Sequence, residues 1–170
     1  MTYRLLIPAL LLAAACNTAP EKKSEDSTIV DGAQTLVPVA PPPPPANPYE
    51  AEIAAQDTLF DDGSKPTSWA DAGFDQPAEF KQFLVSFKNW VKADQVDSIT
   101  AHIRFPLKKY KTADAFRQQY NKIFDASLKA VVDTQRLDRI FRNYQGAMLG
   151  NGEIWFSSFP EGYRIIAINK

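Results

Sequence analysis

Residues 140–168 read IFRNYQGAMLGNGEIWFSSFPEGYRIIAI, and their reading decides the fold. Ile140 to Met148 is rich in β-formers and alternates: Ile140, Arg142 and Tyr144 fall on one side, Phe141, Asn143 and Gln145 on the other. Gly146 marks a bulge or a close backbone contact. Gly150-Asn151-Gly152 holds the Asn-Gly pair of a tight hairpin, and Glu153 to Ser158 is the returning strand, with Ile154 and Phe156 opposite Trp155. Pro160-Glu161-Gly162 turns the chain again. Tyr163 to Ile168 is apolar on both sides, which predicts a central strand buried on both faces.

The period differs upstream. Asp75-Gln76-Pro77 is a helix start, with proline in the first turn, where its missing N–H costs little. Phe80, Phe83, Leu84, Phe87, Trp90 and Val91 follow at spacings of three and four, while Lys81, Lys88 and Lys92 fall off that stripe. Asp94 can cap a short helix carrying Val96 and Ile99. Thr100 to Leu107 alternates and predicts a strand, with Pro106 placing its end at an edge. Thr112 caps a helix whose Phe116, Tyr120, Ile123 and Phe124 share a face, and Asp125 begins a further helical turn with Leu128, Val131 and Val132. Helices first and an antiparallel meander last define an α+β class, with the helices covering one sheet face.

The whole chain has 170 residues and a formal net charge of -1, which removes a general argument for nucleic-acid binding. One cysteine excludes an internal disulfide framework, and one histidine weakens histidine-based metal or triad schemes. The composition is uneven. Eight of the 13 prolines lie between Pro20 and Pro48, and 17 of the 20 aromatic residues lie at or after Trp69. Three segments follow: a leader over 1–15, a proline-rich disordered tether over 16–68, and an α+β domain over 69–170. Within the tether, Pro41 to Pro45 predict a stiff polyproline II rod, read as a spacer ahead of the alternative, a docking site for a proline-binding partner. Tyr49 to Asp57 could form a short helix, but only Ile53 gives it an apolar anchor.

The leader carries Arg4, then an apolar run from Leu5 to Ala15 broken only by Pro8. That run is too short for a bilayer span of about 20 residues and suits the hydrophobic part of a secretory signal. Leu12-Ala13-Ala14-Ala15-Cys16 places the only cysteine directly after small residues. This run resembles the lipobox of bacterial lipoproteins, with Leu12 one place earlier than the family's usual leucine. The resemblance implies that Cys16 is lipidated, with palmitate among its acyl chains, and becomes the N-terminus once the leader is removed. The partner is then the lipid bilayer, and the location is the cell envelope. Asn17, rather than aspartate, implies the outer membrane by enterobacterial sorting, while Glu21 to Asp26 could instead be a surface-export signal, which leaves the leaflet open.

The order of elements, with Ile103-Arg104-Phe105-Pro106-Leu107 between the helices, resembles the nuclear transport factor two-like cone fold. Tyr144 to Trp155 together with the ending Arg164 to Asn169 looks like the end of small uncharacterised exported bacterial proteins. The cone fold implies a curved antiparallel sheet closed by N-terminal helices. Its members include isomerases and dehydratases as well as non-enzymatic binding domains, so fold does not supply function.

No catalytic motif of those enzymes is matched, and no metal-ligand spacing, phosphate loop or cofactor motif is present. Asn143, Gln145 and Trp155 form a candidate polar-aromatic ligand patch, with Tyr144, Glu153, His102 and Trp90 as further candidates. Glu153 could instead orient Arg142 or Arg164 across the sheet. Arg136, Arg139 and Arg142 recur every three residues beside Asp133 and Asp138, as a self-paired solvated face. The expected role is a non-catalytic module that engages a small ligand or an envelope protein, without nucleic acid or cofactor. The alternative is an isomerase, lyase or hydrolase of the cone-fold type. The two differ in whether at least two titratable groups converge in a deep pocket.

Overall fold

The structure, a computed structural model, describes residues 47–57, 59–60 and 62–170. The leader, Cys16 and the proline run lie outside the described residues. Five helices precede the sheet: α1 (Glu50–Ala54), α2 (Pro77–Lys92), α3 (Val96–Ala101), α4 (Ala113–Ile123) and α5 (Ala126–Thr134). Four strands follow, β1 (Phe141–Asn143), β2 (Gly146–Leu149), β3 (Ile154–Phe159) and β4 (Gly162–Ile168). They pair antiparallel in the order β1-β2-β3-β4, and the α+β class stands.

Helix α2 starts at Pro77 as its sequence requires, and Phe80, Leu84, Phe87 and Val91 are buried along one stripe. The interior between helices and sheet is filled by rings. Phe80 meets Phe74 at 4.3 Å, Tyr163 at 5.1 Å and Phe156 at 5.9 Å between centroids, and Phe87 meets Phe156 at 5.2 Å. Thr112 caps α4 by accepting from the Ala115 amide, and Asp125 caps α5 by accepting from the Leu128 amide. Phe116, Tyr120, Ile123, Phe124, Leu128 and Val132 join the same core.

The meander departs from its sequence reading in two places. Ile140 to Met148 is not one strand. Asn143 pairs with Gly146, so the chain reverses through Tyr144 and Gln145, and the Asn143 side chain accepts from the Gln145 amide at 2.8 Å. Gly146 makes the close contact its sequence suggested: with φ at 133°, a Cβ there would sit 2.1 Å from the Phe156 carbonyl oxygen. The final strand is an edge strand rather than a central one. Ile165 and Ile168 are buried, while Ile166 and Ala167 are half-buried. Part of that edge is closed by chain from the helical region: the Arg104 amide donates to the Ile165 carbonyl and the Ile165 amide to the His102 carbonyl.

Thr100 to Leu107 therefore forms a single parallel bridge, Ile103 to Ile165, and not a strand. Local bonds favour the helix there, since the Thr100 hydroxyl donates to the Val96 carbonyl and His102 Nδ1 to that of Ser98. Asp94 does not cap α3. Gln95 holds that position, and the Asp94 carboxylate instead accepts from the Tyr120 hydroxyl and pairs with Lys129.

The largest departure lies upstream of Trp69, in residues read as tether. Residues 49–57 and Phe60 form a strap packed on α2 and the sheet, so folded chain reaches well into the expected tether. Its grip comes from charge and rings rather than from an apolar stripe. Lys81 and Lys88, both off the α2 stripe, are buried because the strap covers them. Lys88 lies over the Tyr49 ring and donates to the Gln135 carbonyl, and burial pushes its amine pKa down. Glu52 accepts from the Leu137 amide at 2.7 Å, and Phe60 packs on Phe141. Asp57, its carboxylate fully enclosed, pairs with Lys81 at 3.1 Å and with Arg142 at 2.7 Å.

Three carboxylates contribute to the acid limit. Bonds from Lys129 and Tyr120 hold Asp94 below its ordinary range, bonds from Lys170 and the Leu128 amide do so for Asp125, and the Arg136 guanidinium does so for Asp138. The unfolded chain then binds more protons than the folded one through the acid range. Stability is fully present above the unfolded carboxylate values, about 4, and is lost as pH falls through the lower folded values. Urea midpoints at pH 7 and pH 3 check this. Asp125→Asn should shrink the difference between them, and an unchanged difference would contradict the assignment.

Candidate functional site

The pleat sorts the sheet into two faces. Arg142, Ala147, Phe156 and Ile165 pair in register across all four strands and are buried. Phe141, Met148, Trp155 and Ala167 form the next row and are half-buried. This second row is an apolar strip on the outer face of the sheet.

Two surface recesses open along that strip and share Met148 and Asn151. One, of about 400 Å³, lies between the strip and the end of α5, with Phe60, Phe141, Met148, Gln135, Arg136 and Arg139 in its wall. The other, of about 300 Å³, is bounded by Met148, Asn151, Gly152, Glu153, Trp155 and Asn169. Both volumes fall at the low end of small-ligand sites.

The β2–β3 turn gives the strip a fixed rim. Glu153 accepts from the Asn151 amide at 2.5 Å, the Gly150 amide donates to the Gln135 side chain, and Asn169 bonds Gly152 through its side chain and Glu153 through its amide. Gly152, at φ 99°, lets the backbone pass Trp155: a Cβ there would meet the indole nitrogen at 3.4 Å and the Met148 sulfur at 3.6 Å. Arg136 forms a two-bond pair with Asp138, at 2.9 and 2.6 Å. The arrangement offers an apolar, partly aromatic floor with guanidinium groups along one side. It suits stacking and hydrogen bonding of a flat or extended ligand.

The seven candidate residues fall in three separate places. Trp155 and Glu153 lie at the strip. Asn143, Tyr144 and Gln145 form the β1–β2 turn at the opposite end of that hairpin, where Tyr144 is 84% exposed and Asn143 is committed to the turn itself. His102 and Trp90 stack at 4.6 Å beyond the β4 edge, with Phe83 5.4 Å from the histidine ring. The patch expected from Asn143, Gln145 and Trp155 is thus divided, because the turn at 144–145 separates them. Glu153 orients neither Arg142 nor Arg164. Arg142 is bound to Asp57, and Arg164 donates to the carbonyls of Tyr163 and Glu161. The arginine triplet is likewise not one solvated face: Arg136 pairs with Asp138 as expected, but Arg142 points into the fold.

Sequence reasoning missed Phe141 and Met148 as floor residues. Their cross-strand pairing was the available signal, and it is hidden until the turn at 144–145 is placed. Among the described residues no group of three or more His, Cys, Asp or Glu could hold a metal ion, and no helix is long and apolar enough to cross a membrane. No protein-family model, curated protein or solved structure matches the chain.

Proposed function

We propose that this is a lipid-anchored protein of the bacterial envelope, acylated at Cys16 and carried to the outer membrane. Its α+β domain acts there as a non-catalytic binding module. We also read the domain as a variant of the nuclear transport factor two-like cone whose interior is closed by aromatic rings. The observation that carries the binding role is the filled interior beside the half-exposed Phe141–Met148–Trp155 strip. The interior between helices and sheet holds Phe80, Phe87 and Phe156, and two accessible recesses lie along the strip on the outer face. The occupant is a small ligand or an envelope protein laid across the strip. For the anchor, the support is the leader and the single cysteine that follows it; each acyl CH₂ buried in a bilayer contributes about 0.8 kcal/mol.

Cys16→Ser should abolish palmitate labelling and move the protein from the membrane pellet to the soluble fraction. A mutant that still sediments with membranes overturns the anchor. A photo-crosslinker placed at Met148 should give a discrete adduct in intact envelopes that one at Tyr144 does not. The same adduct pattern from both positions would remove the strip as the binding surface.

A further inference from the structure

Where the strap meets the start of α2, the surface leaves a cavity of about 530 Å³. Its apolar wall includes Ile53, Ala54, Trp69 and Pro77, and its charged wall is Lys81, Asp57 and Arg142. The side chains of Lys81 and Arg142 are only 3% and 5% exposed, and that of Asp57 is 0% exposed. Two enclosed cations thus share one carboxylate, leaving a positive charge uncompensated within the cluster.

Counting donors locates the unused capacity. Lys81 spends its three N–H groups on Asp57 and on the carbonyls of Glu52 and Ala55. Arg142 Nε donates to the Thr67 carbonyl, and Nη1 donates to Asp57 and to the Ile140 carbonyl. Arg142 Nη2 has no acceptor among the described residues. Every sealed side-chain nitrogen or oxygen among those residues has a partner. Nη2 therefore opens onto accessible space, and the space Arg142 lines is this cavity. The flat face of the guanidinium is held 4.1 Å from the Trp69 ring, which fixes the direction of its free edge. The first turn of α2 adds to the field: Pro77 and Ala78 line the cavity, and Gln76 supplies no side-chain cap.

We propose that this cavity is a binding site for a small monocarboxylate with an apolar body. The carboxylate accepts from Arg142 Nη2 and neutralises the surplus charge, while the body lies against Ile53, Ala54 and Trp69. A dianion is disfavoured because the cluster carries one surplus charge and the walls are mainly apolar. A bare halide would leave most of the 530 Å³ unused.

The test titrates the ¹⁵N-labelled full chain with hexanoate, with its neutral isostere hexanamide, and with sulfate. The Trp69 indole and Arg142 Nε resonances are followed. Hexanoate should shift both saturably and bind at least about tenfold more tightly than hexanamide, as a charge-assisted bond at an enclosed site implies. Ala54→Phe fills the mouth from an exposed position without touching the ion cluster. It should abolish the hexanoate shifts while leaving the melting temperature unchanged. Absence of saturable binding, equal affinity for hexanamide, sulfate binding as tightly as hexanoate, or full binding by the folded Ala54→Phe protein would each overturn the site. Neither the Cys16 anchor nor the sheet strip enters the measurement, so the outcome is independent of the function proposed above.

Discussion

Asp57→Ala should lower the unfolding free energy by about 3–5 kcal/mol, measured by urea denaturation at pH 7, because it strands two enclosed cations. The carboxylate accepts from Lys81 and Arg142 and is itself sealed from water. Its removal leaves both cations largely enclosed unless the strap detaches. The loss should therefore appear together with faster amide exchange over 50–55. A triple replacement, Asp57→Leu with Lys81→Met and Arg142→Met, should recover much of the loss, since apolar side chains of similar size carry no desolvation cost. A loss below about 1 kcal/mol for Asp57→Ala would mean that water reaches the cluster freely.

Phe156→Ala should cost a comparable 3–5 kcal/mol through the cavity left where four rings meet. The Phe156 ring lies 5.2 Å from Phe87 and 5.9 Å from each of Phe80 and Phe83, all on α2. With Tyr163, it is one of the two rings through which α2 packs on the sheet. Phe156→Leu should cost less than about 1.5 kcal/mol, and Tyr144→Ala, at an exposed turn, should stay within about 0.5 kcal/mol of the parent. Thermal melts of the three variants give the order. If Phe156→Ala behaves like Tyr144→Ala, the interior is not packed as described. Either large loss is a sizeable share of the 5–15 kcal/mol that usually separates folded from unfolded chains.

The elements that could be read from sequence are those whose signal is local. The α2 stripe, the Thr112 and Asp125 caps, the Gly150–Gly152 hairpin and the turn before Gly162 each need only a few neighbouring residues to be decided. The failures share a different cause. Alternation continued through Asn143 to Gly146, so the reversal there stayed hidden although Asn143 and Gly146 are themselves turn residues. The strand expected over Thr100 to Leu107 gave way to side-chain bonds that prolong the helix. A short helix could be suggested over Tyr49 to Asp57, but the packing of the strap stayed hidden because it depends on long-range contacts such as Asp57 to Arg142 and Glu52 to Leu137. An aspartate in a polar segment carries no mark of a partner 85 residues away. The same holds for the site: Trp155 could be singled out by its residue type, but the floor it shares with Phe141 and Met148 exists only once strand register is set.

The Asp57–Arg142 bond also orders events in time. A chain made from its N-terminus exposes Asp57 long before Arg142 exists, and the intervening residues, 58–141, include all of α2 to α5. Contacts between such distant residues close late, after the local helices and hairpins have removed most of the loop's freedom. Until then Asp57, Lys81 and Arg142 each keep their own water. The contact is therefore expected to close only after β1 has been made, and its closing takes the Asp57 carboxylate out of water.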